Sequence, residues 1–185
     1  MWGNAGLADA CCVTDYSTMG KIEESYAEIK AQIDEFRGFV PQRDVASADV
    51  SAWSVGMHVH HCGLAMRAIA GSLIECDEPL PSRRLGPRAA LILRMGRLSR
   101  GVAKAPDIAM PSKDVDARVL QETLDTSEAL LDQLPPVGER SWFRHFALGV
   151  LVKRDAVRFM SIHSAHHLKI VTDILSSSCG PAPGD

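Results

Sequence analysis

The stretch MSIHSAHHLKIVTDI, Met160 to Ile174, places three histidines within five residues of a segment with a helical pattern. Every third or fourth position reads Ala156, Met160, His163, His167, Ile170 and Ile174. That is the 4-3-4 spacing of the seam a bundled helix presents to its neighbours. Two imidazoles therefore stand where such a helix normally carries leucine. Residues four apart differ by about 40° in direction, so His163 and His167 can point at one spot in a core. Each buried ring needs partners for both nitrogens, and Leu or Ile neighbours cannot provide them. A metal ion satisfies two ring nitrogens at once, so this helix is predicted to bind one. His166 lies off the seam and reads as a supporting or partly exposed residue.

A metal needs further ligands, and HVHH at 58 to 61 offers them. His58 and His61 are about 60° apart on a helix. Arg67 marks the wet side of that helix; His58 points away from it, His60 lies near it, and His61 is on the flank. Periodicity leaves His58 and His61 as equal candidates. Three neutral imidazoles would leave a divalent cation with open positions for water or substrate, and Zn, Ni and Fe(II) all accept such donors. HSAHH lacks the glutamate of an HExxH metalloprotease, which excludes zincin chemistry.

The rest of the chain supplies a bundle around these two helices. Ile22, Tyr26, Ile29, Ile33, Phe36 and Val40 repeat the seam spacing in a first helix predicted from Thr18 to Phe39, with Glu23 and Glu24 near its start and Pro41 closing it. Ser54 is a plausible N-cap for the second helix. Gly56, Gly63 and Gly71 lower its propensity but would allow close packing. A shorter helix is expected from Arg88 to Ala103, and another, capped by Ser112, to about Leu134 before Pro135 and Pro136. Gly138 to Val152 reads as an irregular folded loop, and the last helix runs from Arg154 to Ser177. No strand pair stands out. The prediction is all-α: a four-helix bundle with one extra short helix. Residues 1–16 read as a flexible leader, 17–178 as one helical domain and 179–185 as a tail.

Bulk composition agrees. With 185 residues and 46% apolar content the chain can bury a core, and no apolar run reaches membrane-span length. The opening MWGNAGLADACCVTD lacks the basic start and apolar stretch of a signal peptide. Five cysteines without a CxxC pair argue against a disulfide framework and for a reducing cytoplasm, with Cys62 as a small core residue. A formal charge of -3 and few aromatic residues argue against a nucleic-acid surface.

These motifs together resemble the DinB/YfiT-like superfamily of metal-binding four-helix-bundle proteins. The family pattern has Trp-Ser/Thr opening the second helix, matched by Trp53-Ser54, and a histidine eight residues after the tryptophan, matched by His61. Its last helix carries H-x-x-x-H, matched by His163 and His167 within HSAHHLK. Phe143 to Gly149 (FRHFALG) resembles the F-x-HP-x-FG loop of an uncharacterised branch. The resemblance spans about Lys21 to Leu175 and implies metal ligation by His61, His163 and His167. It also implies a thiol S-transferase using a low-molecular-weight thiol, or a hydrolase, and pairing into a homodimer. The chain departs from the pattern at Gly56, Met57, Phe146 and Ile170, none of them a ligand position.

Two classes of function follow. One is a metal-dependent enzyme acting on a small molecule, with the metal activating a thiol or water and His145 or His166 carrying protons. The other is a non-enzymatic metal-binding or dimerising bundle. The segment Arg83 to Lys104 carries seven basic residues and no acid. It could hold substrate carboxylates, form a solvated or partner-facing surface, or grip phosphates. No helix-turn-helix signature supports the last of these.

Overall fold

The computed structural model describes residues 16–82, 85–101 and 104–178. The expected leader, save Tyr16, and the expected tail lie outside the described residues, as do Arg83 and Arg84 of the basic segment. Four long helices and one short one form the architecture: α1 (Tyr16–Phe39), α2 (Val55–Ile74), α3 (Pro87–Met95), α4 (Ala117–Leu131) and α5 (Lys153–Ser178). A two-stranded hairpin, β1 (Trp142–His145) and β2 (Gly149–Val152), precedes α5.

The seams predicted from spacing are the buried faces. Ile29, Ile33 and Phe36 of α1 and Val40 just beyond it lie inside, as do Ala156, Met160, His167, Ile170 and Ile174 of α5. α2 is the central element, packed on α4 and α5, while α1 packs mainly on α5. Its closeness to α4 depends on Gly63, where a Cβ would come within 2.6 Å of Thr123 Cγ2. Gly56 is needed in the same way, because a Cβ there would meet Arg43 at 2.8 Å. Gly71 faces open space and serves no such contact. Cys62 is fully buried, and burial raises its thiol pKa well above the ordinary value.

Several boundaries differ from expectation. α1 begins at Tyr16, so Glu23 and Glu24 fall beyond its first turn. Ser54 does cap α2, accepting from the Met57 N–H at 3.3 Å. α3 is shorter than predicted, because Gly96 adopts a left-handed φ of 64° and ends it. Arg97 and Arg100 therefore leave the helix. α4 starts at Ala117, capped by the Asp116 carboxylate through the Val119 N–H at 2.9 Å. Asp116 outcompetes Ser112 as a cap, and the Ser112 N–H bonds to His60 Nδ1 instead.

The hairpin is the main correction to the loop reading. Trp142 pairs with Val152, and His145 with Gly149, whose φ of 85° suits the turn. Each strand has four residues, too few for an alternation to register. Lys153 anchors the hairpin's base: its buried ammonium donates to the carbonyls of Pro135 and Val137 and to Glu139. Among the described residues no helix is long and apolar enough to cross a membrane.

Candidate metal centre

His61 from α2 and His163 and His167 from α5 converge, each offering a ligand atom within 4.8 Å of the others. Ring centroids lie 5.0 Å apart for His61 and His163, 4.8 Å for His61 and His167, and 4.6 Å for His163 and His167. The i,i+4 spacing on α5 thus does what the seam requires. Three neutral imidazoles at this separation form a site able to coordinate a divalent cation.

The orientations of His61 and His167 are held from behind. The His61 Nδ1–H donates to the Ala109 carbonyl at 2.7 Å, leaving Nε2 as the lone-pair nitrogen, 3.2 Å from His163 Nε2. His167 Nδ1 lies 2.9 Å from His58 Nδ1, and His58 Nε2 lies 2.9 Å from Ser51 Oγ. The Trp53 N–H donates to the same hydroxyl at 3.1 Å. The Trp53 ring packs on the cluster, 5.1 Å from His61 and stacked at 6.4 Å over His167.

His58 and His61, equal candidates by periodicity, stand differently in the structure. His61 faces the two α5 rings, while His58 stands behind His167. His60, expected near the wet side, is buried because residues 104–116 fold over that flank and present the Ser112 N–H to it. His166 is half-buried beside His167, with ring centroids 5.2 Å apart.

Burial dominates the electrostatics. It lowers the pKa of His61, although the Ala109 bond opposes the shift. Burial, then repulsion from neighbouring imidazoles, holds His163 and His167 well below the ordinary range. Burial and His61 push His58 down to about 4. All four rings are therefore neutral at pH 7, the state a metal ligand needs.

The cluster forms one wall of a cavity of about 1040 Å³ bounded also by α3, residues 97–101 and 104–109 and the hairpin tip. His145 and His166 both line it. His145 accepts from the Ala147 N–H at 3.1 Å and packs edge-on to Phe159, which in turn lies 5.7 Å from His163. Burial and Arg88 lower the His145 pKa to about 4.

Ser51, the Ala109 carbonyl and Phe159 were not among the candidates read from sequence. A backbone carbonyl carries no residue signature, and Ser51 and Phe159 sit in ordinary loop and core patterns. Trp53 carries a sequence signal only as part of the Trp-Ser motif.

No family model matches the sequence, and no curated protein matches it. Among solved structures, a similar chain is YfiT from Bacillus subtilis, described as "a probable metal-dependent hydrolase with an unusual four-helix bundle topology". The two are 19% identical, with a TM-score of 0.47 over 95% of this chain and 94% of that one.

Proposed function

We propose that this protein is a divalent-metal-dependent enzyme in which His61, His163 and His167 hold the ion. The observation that carries the reading is the approach of three neutral imidazoles, within 4.8 Å, on the wall of a large cavity. The donor set fits Zn, Ni or Fe(II). Such an ion lowers the pKa of a water or thiol at its open position, supplying a nucleophile at neutral pH.

The chain's own residues orient and protect that chemistry. Ala109 fixes the tautomer of His61. Ligation by His167 Nε2 selects the tautomer in which its Nδ1–H donates to His58 Nδ1. His58 then donates Nε2–H to Ser51 Oγ, completing a chain of support behind the ligand. Trp53 and Phe159 shield the rings from bulk water. His145 and His166, both on the cavity wall, would accept a proton from the nucleophile and return it to a leaving group. The activity is an S-transfer using a low-molecular-weight thiol or a hydrolysis, on a small-molecule substrate. A cytoplasmic homodimer is the expected setting.

Elemental analysis of the purified protein beside a His163→Ala, His167→Ala variant tests the centre. About one ion per chain is expected in the first and none in the second, as for a three-ligand site. Equal content in both would sink it. Incubating the loaded protein with an electrophile, with and without low-molecular-weight thiols, then separates transfer from hydrolysis.

A further inference from the structure

The cavity lining has a chemical bias that a metal centre does not require. Among the described residues it includes no aspartate or glutamate, yet it includes Arg88, Arg97, Arg100, Lys104 and Arg144. The chain as a whole carries 23 acids against 20 bases, so a lining of this size without an acid departs from its average surface. Arg100 is paired with Asp173, and Arg144 lies 5.5 Å over the Trp142 ring. Arg88, Arg97 and Lys104 make no ion pair among the described residues. The cationic field reaches inward: after burial, Arg88 is the next cause lowering the pKa of His145.

The same lining also carries exposed apolar side chains. Leu91, Met95, Ile108 and Phe146 are 56%, 46%, 70% and 60% exposed, and all four border the cavity. They are four of the six large hydrophobic side chains exposed among the described residues; only Leu85 and Met110 lie elsewhere. Exposed apolar side chains gathered at one concave site mark a binding surface. The five cations share that concavity rather than a separate flat face.

We propose that the cavity binds an amphipathic anion, with an aromatic or aliphatic body against α3 and the hairpin tip and a carboxylate, sulfonate or phosphate held by Arg88, Arg97 and Lys104. The end remote from the charge then lies toward the three imidazoles. This names the substrate class of the enzyme proposed above and rests on that reading for the reaction, but the grip on the anion does not need the metal.

The test uses full-length protein of measured metal content and two probes. One is 8-anilinonaphthalene-1-sulfonate; the other is its uncharged congener N-phenyl-1-naphthylamine. Saturable binding of the sulfonate is expected, displaced by decanoate and not by decanol. An Arg88→Gln, Arg97→Gln, Lys104→Gln variant, with its melting temperature checked, should bind the sulfonate about tenfold more weakly, as three part-exposed charge contacts allow. It should bind the neutral congener as before. Unchanged sulfonate affinity in that variant overturns the proposal. So does binding that is lost only in the His163→Ala, His167→Ala variant; that result would leave the metal reading standing. Anion binding that persists in a histidine variant whose metal content equals the parent's would sink the metal reading and keep this one. Co-sedimentation with phosphatidylglycerol vesicles, without saturable probe binding, would assign the rim to a membrane surface and also overturn the proposal.

Discussion

The two histidine triplets, HVHH in α2 and HSAHH in α5, have the same ring count and different fates. In α5 the pair four apart, His163 and His167, enters the cluster, and His166 is left half-buried on the cavity wall. In α2 a single ring, His61, enters; His58 supports His167 from behind, and His60 turns to the Ser112 N–H. The difference comes from what covers each helix. α5 keeps a wet flank at Lys169 and Asp173, so its off-seam histidine can reach water. α2 is enclosed by α4, α5 and residues 107–109, so each of its rings must find a partner inside. A buried imidazole thus joins the cluster, supports a neighbouring ring or accepts from a backbone N–H according to the wall it faces.

The comparison breaks most sharply at His61. His61→Gln should abolish stoichiometric metal binding, whereas His60→Gln should keep it; matched metal contents by elemental analysis would refute the division. Acid gives the next largest effect. The folded pKa of His58 lies near 4 against an ordinary 6.5, so the unfolded chain binds more protons between those values. Stability of the metal-free protein is therefore full above about pH 6.5. It falls as the pH drops toward 4, with His58 alone costing about 3 kcal/mol. Urea midpoints measured across that range in the presence of chelator should decline, and a flat profile would contradict the burial of neutral rings.

His58→Ala should weaken metal affinity by about 10- to 100-fold, the usual effect of removing a ligand's hydrogen-bond partner. A chelator competition with no shift would show that His167 orients itself. His60→Gln should cost about 1–2 kcal/mol in denaturant unfolding through the lost Ser112 contact. At the small end, His166→Gln should leave metal content and melting temperature unchanged and lower only turnover. Lost metal in that variant would move His166 into the cluster.

Much of the bundle was legible because burial follows period. The α1 and α5 seams and the Ser54 cap all depend on residues within a turn or two of each other, whereas the match of Trp53 and His61 came from the family resemblance alone. The hairpin was not legible, since two four-residue strands are shorter than any reliable alternation. The end of α3 was not legible either, because the apolar pattern continues to Leu98 while the left-handed Gly96 stops the helix. The α4 cap was missed because two capping residues, Ser112 and Asp116, lay within a turn of each other.

By itself the sequence determined that His163 and His167 share one inward face, because a helix places residues four apart on the same side whatever surrounds it. It also determined that the final helix lacks the glutamate of a zincin. Only the tertiary structure decided that His61 rather than His58 meets them, because that depends on how α2 is rotated and raised against a helix about a hundred residues away. The same packing brought the Ala109 carbonyl behind His61 and gathered a cavity lining, acid-free among the described residues, from α3, residues 97–101 and 104–109 and the hairpin. Local periodicity carries no information about such meetings; they arise when separate elements bury their seams together.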